Sequence, residues 1–376
     1  SRVAQMPPLA PLPSVKSPIC ALPGRLDRGD ARHLPYCYRL TWDDVSMAST
    51  PRHHLVPQFL LRRFADAEKK LIMVKRQDLS CAIPTTVNNA CNEAGFYRIE
   101  REEVEIGFQG DHDPESLEKI LSVFESRADR SIRRLLQSQP PWTIDDRYNL
   151  ANFTALQYAR GPHFRDQLNE LGTLAARREM LSYPSVLENS AKGFLRERGK
   201  KPTSEAITEF IDRAFGPHGP RLELAKPHAI QASFRFALDI SRMLYARPIR
   251  LLHFKADTPL LTSDNPVVTW TPERVSERVV ALNDAVTITL PLGPDLAMSF
   301  ATRGEDCVSE AGATRARQIN TAVADIASRW IYHHPEMSPL EGVTIPSQRP
   351  RWKDEKLSAR IDDDGSYREL WQTAQR

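Results

Sequence analysis

Arg-Pro-Ile-Arg-Leu-Leu-His-Phe, residues 247–254, marks the point where the chain changes character. From here onward the apolar residues come in short runs: Ile249–Phe254, Leu260–Leu261, Val267–Trp270, Val279–Leu282, Ala285–Leu290 and Leu296–Ala301. Pro, Asp, Asn and Gly separate them, so the spacing predicts strands and turns of an antiparallel or mixed sheet. Before residue 247 the period is helical. Leu117, Ile120, Leu121, Phe124, Ala128, Ile132 and Leu135 recur at steps of three and four, predicting a helix over 115–137. Thr143-Ile-Asp-Asp146 resembles a capping box and opens a second helix through Arg160, broken by Gly161-Pro162. A third helix is expected over 163–182, a loop over 183–202, a short helix at Ser204–Phe215 and a long one at Pro227–Tyr245.

The flanks of this pattern are plainer. Pro57 suits the first turn of a short helix carrying Leu60, Leu61 and Phe64. Leu71–Lys75 and Phe96–Ile99 read as strands, with one or two helical turns at Asn88–Ala94 between them. A last helix over 311–328 leads to the apolar Trp330-Ile331-Tyr332. Helices followed by strands predict an α+β fold, a helical layer (114–246) on a mostly antiparallel or mixed sheet (249–302 plus N-terminal strands).

Composition narrows the functional class without naming a reaction. The 376 residues are 41% hydrophobic and 26% charged, with 51 Lys and Arg against 48 Asp and Glu, a net +3. That balance does not indicate nucleic acid as a partner, and leaves it only a local basic groove. No apolar run approaches the roughly 18–20 residues of a membrane span. Five scattered cysteines without a C-x-x-C pair do not make a disulfide scaffold, so a soluble, cytoplasmic protein is expected.

Seven of the 29 prolines fall in residues 1–46, which show no helical or strand period. That segment is expected to lie outside the domain, as translated upstream sequence ahead of a start at Met47 or as a natural disordered tail. It carries six Lys and Arg against four Asp and Glu, so without it the net charge is +1. One domain over 47–344 and a polar tail over 345–376 complete the expected organisation.

Four segments supply candidate functional groups, each with a bland rival. Glu118 and Glu125 share a helix face and suit a divalent cation or acid–base work, or a solvated edge balanced by Arg127, Arg130 and Arg133. Gln157 and Arg160 ride inward on a helix that is apolar most of the way round, as a pocket or a structural network. His53 and His54 precede a helix N-terminus, where a neutral imidazole is favoured. Thr262-Ser263-Asp264-Asn265-Pro266 is either a self-bonded turn or a rigid strand end presenting polar groups to a cleft. The dinucleotide, P-loop, nucleophile-elbow and zinc-protease signatures are missing, and Cys81, Cys91 and Cys307 have no adjacent histidine.

Taken in order, these motifs resemble the bacterial family called Domain of Unknown Function 4238. The resemblance rests on His54-Leu-Val-Pro-Gln58 with Leu61 and Phe64, Gly95-Phe-Tyr97, the Glu118 and Glu125 helix, and Gln157-x-x-Arg160 with Pro162. Thr262-Ser-Asp-Asn-Pro266, Pro291-Leu-Gly-Pro-Asp295 and the Asn320 helix leading to Ile331-Tyr332 follow, so it covers residues 51–334. Gly-Pro after Arg160 departs from the family's Arg-Thr-Pro. The resemblance implies a domain beginning near His54 and brings no reaction with it.

If His54, Gln58, Glu118, Glu125, Gln157, Arg160, Asp264 and Asn265 converge, the set suits metal-assisted hydrolysis of a phosphoester, nucleic acid among the substrates. His54 would move a proton and Arg160 would clamp the anion, with Gln58, Gln157 and Asn265 completing the site. Glu118, Glu125 and Asp264 would hold the divalent metal. The alternative is a non-catalytic binding or regulatory module in which the same residues form a buried polar network. Sequence alone leaves the enzyme question open.

Overall fold

The computed structural model describes residues 52–99, 113, 116–215, 219, 223–271, 282–346, 358–361 and 367–370. The expectations for residues 1–46, and for a strand over 279–281, lie outside them.

Chain order runs β1 (Arg52–His54), α1 (Gln58–Leu61) with a 3-10 turn at Arg62–Phe64, β2 (Lys70–Lys75), β3 (Asp78–Thr86) and β4 (Asn92–Ala94). Six helices follow: α2 (Ser116–Gln137), α3 (Ile144–Ala159), α4 (Pro162–Leu181), α5 (Pro184–Glu197), α6 (Ser204–Phe215) and α7 (Lys226–Tyr245). Next come β5 (Ile249–His253), β6 (Thr262–Ser263), β7 (Val268–Trp270), β8 (Thr287–Gly293), β9 (Leu296–Ala301) and β10 (Cys307–Glu310). The last elements are α8 (Ala313–Ile326), β11 (Trp330–His333), β12 (Ser358–Ile361) and β13 (Tyr367–Leu370). The fold is α+β, as the pattern predicts.

The strands divide into two main sheets rather than one. Five form the order β10-β5-β9-β8-β7, antiparallel except for the parallel β10–β5 pair. The other four form the antiparallel order β3-β2-β11-β6, which joins N-terminal strands to the end of the domain. Two small antiparallel pairs, β1–β4 and β12–β13, lie apart from these sheets.

Every residue of β8 and β9 is buried, as expected of strands covered on both faces. Side chains alternate between two cores. Ile249, Leu251, Ile288, Leu290, Met298 and Phe300 join the large core shared with α2, α3 and α7. Leu252, Val268 and Ala297 face the second core, built on α8, β2 and β11. Helix α3 is buried along most of its length, which follows from apolar residues on nearly every side. Thr143 caps it: its hydroxyl accepts from the Asp146 N–H (3.1 Å) and donates to the Asp146 carboxylate (2.6 Å).

Three local readings are corrected. Residues 184–197, expected to be loop, form α5, because Leu187, Ala191 and Leu195 recur every four residues and pack on Ile207 and Ile211 of α6. Asn88–Ala94 makes no helix, and the strand lies at Asn92–Ala94 rather than Phe96–Ile99. Cys91 (φ 51°) and Gly95 (φ 62°) take left-handed backbone on either side of β4, which fixes its ends. Strands β3 and β10 escaped the pattern because both are edges, with mostly exposed or half-exposed residues and, in β3, Pro84. Within the segment expected as a polar tail, β12 and β13 pair with each other.

Candidate functional site

The motif residues gather into two polar networks. The first lies where α1, α2 and α3 meet. His54 and Gln58 share a 2.8 Å hydrogen bond between their Nε2 atoms. The amide nitrogen can only donate, so His54 Nε2 accepts and the neutral ring carries its proton on Nδ1. Gln58 Oε1 faces the other way and accepts from Arg62 (3.0 Å), which fixes the amide's orientation. Burial lowers the His54 pKa, and Arg160 and Arg62 add to that; the Ala90 backbone and the Glu125 charge oppose it.

Arg160 sits 6% exposed at the end of α3, its Nη1 on Glu125 (2.8 Å) and its Nη2 on Gln157 Oε1 (2.8 Å). Burial opposes its charge, but Tyr97, Glu125 and Glu118 outweigh burial and hold the guanidinium protonated above its usual range. Gln157 completes the run by donating to the Leu55 carbonyl (2.9 Å). Glu118 and Glu125 are half-buried on the same face of α2, and Glu125 makes the ion pair.

The second network is built largely on backbone groups. Asp264 is 2% exposed, and its carboxylate accepts from three successive backbone N–H groups: Ser328 (2.6 Å), Arg329 (2.7 Å) and Trp330 (3.2 Å). Asn265 donates to Asp264 (3.1 Å) and to the Ser328 hydroxyl (2.9 Å). Its Oδ1 accepts the His163 N–H (3.1 Å) in the first turn of α4. A Cβ at Gly161 would stand 2.4 Å from that same Oδ1, which explains why glycine precedes Pro162 here.

Beside the second network lies a cavity of ≈ 250 Å³; Asp264 is among its lining residues, the first network's side chains are not, and motif residues hold its walls. Asp264 fixes the turn that contributes Arg329 and Trp330; Asn265 fixes the start of α4, which contributes Arg165 and Asp166; Gln157 fixes Leu55. The Arg165 guanidinium lies 3.7 Å from the Phe96 ring centre, and burial lowers its pKa against the charges of Glu93 and Asp166. Cys91 is another lining residue. Its N–H donates to the Tyr332 hydroxyl (2.9 Å), and burial and Asp264 push its thiol well above the usual range, so it stays protonated.

Five expected site residues lie in the first region as two hydrogen-bonded groups, His54 with Gln58 and Arg160 with Glu125 and Gln157. The groups are coupled only through the charges of Glu125 and Arg160 acting on His54; Asp264 and Asn265 form the second network. Among the described residues, Glu118, Glu125 and Asp264 included, no group of three or more His, Cys, Asp or Glu side chains is placed to hold a metal ion. Arg165, Arg329, Glu93 and Asp166, which face the cavity, were not singled out from sequence. The one available signal was position: Arg165 and Asp166 follow Pro162 within the first turn and a half of α4.

The geometry defines an α+β domain with a walled polar cleft, and the family follows from the sequence itself. The chain matches the family described as "Protein of unknown function (DUF4238)" over residues 52–337, and it belongs to that family. No curated protein and no solved structure matches the chain. No helix among the described residues is long and apolar enough to cross a membrane.

Proposed function

We propose that the chain is a non-catalytic binding or regulatory module, and that its cleft receives a small polar ligand bearing an anionic group. One observation carries this reading: three residues of two motifs, Gln157, Asp264 and Asn265, each fix a different wall of the same cavity. Asp264 and Asn265 then act as supports rather than as reacting groups, because their polar atoms are engaged by backbone and by each other. Arg165 and Arg329 supply cations for the ligand's anionic group, and Glu93 and Asp166 accept from its donors. A cavity of ≈ 250 Å³ falls just below the ~300 Å³ at which drug-sized pockets begin, which favours a small metabolite over a polymer.

Thermal unfolding of the purified chain against a panel of small carboxylates, phosphates and amino acids tests the reading. A saturable rise in Tm that Arg165→Ala removes is expected. A panel with no effect, or a rise that survives Arg165→Ala, rejects it.

A second reading has its own support. His54 is neutral at physiological pH, borders Glu125 and Arg160, and is only half-buried, an arrangement suited to proton transfer. In this reading the chain is a metal-assisted phosphoester hydrolase using His54, Glu125, Arg160 and Asp264. Assays with DNA, RNA and small phosphoesters in Mg²⁺ or Mn²⁺ separate the two: turnover lost in His54→Ala would replace the binding reading.

A further inference from the structure

The hairpin of α5 and α6 has its own small core and takes no part in either polar network. Leu187, Ala191 and Leu195 pack on Ile207 and Ile211, which leaves the outer surface of the hairpin available. Over 184–215 the hairpin is nearly balanced, six Lys and Arg against five Asp and Glu, but its basic residues concentrate at the turn between the two helices. Residues 192–201 contain Lys192, Arg196, Arg198, Lys200 and Lys201 against the single acid Glu197, in a chain whose whole net charge is only +3.

Phe194, 37% exposed, packs on Phe210 at 4.8 Å between ring centres and forms the base of an open groove of ≈ 530 Å³. Arg198, Lys200 and Arg213 surround these rings, with Glu209 the one acid lining the groove. An apolar floor inside a cationic rim complements an anionic surface with an apolar anchor.

We propose that this groove docks an acidic segment of a partner protein, an aromatic or aliphatic anchor of the segment sitting on Phe194 and Phe210 and its carboxylates meeting Arg198, Lys200 and Arg213. The alternative polyanion, single-stranded nucleic acid, would need open ring faces on which to stack its bases. Phe194 is already engaged by the Arg198 guanidinium, 4.4 Å from its ring centre, and Phe210 is tilted 40° to it. The two rings therefore make no parallel platform for successive bases, while Phe194 stays 37% exposed to an apolar anchor. Guanidinium groups held beside a ring remain well placed for bidentate contact with carboxylates. The proposal is independent of the cleft and of its ligand.

Fluorescence anisotropy on the full chain tests it with three labelled probes. They are a peptide of about twelve residues alternating glutamate and leucine, an all-glutamate peptide of equal length, and an oligothymidylate of about twelve nucleotides. The alternating peptide is expected to bind saturably and more tightly than either other probe. Raising NaCl from about 50 to about 300 mM should weaken it. Arg198→Glu and Phe194→Ser should each weaken binding about tenfold. The unfolding midpoint identifies a variant that has failed to fold, and Arg213→Glu then replaces it. No binding of the alternating peptide, equal binding by the all-glutamate peptide, equal binding by folded variants, or tighter binding of the oligothymidylate overturns the proposal.

Discussion

The two polar networks use the same residue types to different ends. Around Asp264 a carboxylate and an amide face backbone N–H groups, and nothing there can change its protonation without freeing a turn. Around Arg160 the partners are side chains, Glu125 on α2 and Gln157 on α3, with the His54–Gln58 pair nearby, and His54, Gln58 and Glu125 are half-buried. A carboxylate that satisfies backbone fixes a shape; side chains that satisfy one another can exchange partners. The contrast assigns support to the Asp264 network and leaves to the Arg160 network whatever responsiveness the site has.

Asp264→Asn should break the comparison most sharply. The amide keeps one acceptor where three N–H groups converge, and a loss of about 3–5 kcal/mol in urea unfolding is expected. A loss under about 1 kcal/mol would mean that residues 328–330 hold their turn unaided. Arg160→Met should cost less, about 2–3 kcal/mol, because Glu125 can turn towards water once its partner has gone. Matching values for the two variants would erase the distinction between the networks.

Gly161→Ala comes next, at about 1–2 kcal/mol, since the new methyl must displace the Asn265 oxygen. In an Asn265→Ala background that increment should vanish, and a cycle of the four proteins measures the coupling. The smallest effect is in pH dependence. The folded-state pKa of His54 lies below its ordinary 6.5, so the unfolded chain binds more protons between the two values. Stability from the neutral ring is complete above about pH 6.5 and is lost as pH falls through the folded pKa. His54→Gln should flatten the decline in stability below pH 6.5; an unchanged profile would place the titration elsewhere, with His333, also lowered by burial, the next group to replace.

Sequence made α2, α6 and β9 legible to within a residue or so, because α2 and α6 each turn one apolar stripe to a neighbour and β9 is a short apolar run bounded by turn residues. It failed at α5, where Pro184 and Gly193 interrupt an otherwise regular spacing, and at β3, whose side chains are mostly outside any core. The site divides in the same way. That Gln157 and Arg160 turn inward follows from the apolar surroundings of α3. That Asp264 serves residues 328–330 does not, since its partners stand 64 to 66 positions away. Nor could sequence tell which wall Gln157 holds, because Leu55 is 102 residues distant. Side-chain direction was legible; the identity of a remote backbone partner was not.

The order β3-β2-β11-β6 also bears on how the protein is made. Strand β2 ends at Lys75, yet its inner neighbour β11 begins at Trp330, so one face of the domain waits on residues made some 250 positions later. Loop closure over that separation is slow, and during synthesis β2 has only β3 to pair with. The helices α2, α3 and α7 can settle on one another first, while Asp264 finds its three donors only once Ser328 to Trp330 have left the ribosome. Emergence of residues 328–330, and not any earlier local step, is therefore what completes this wall of the cleft.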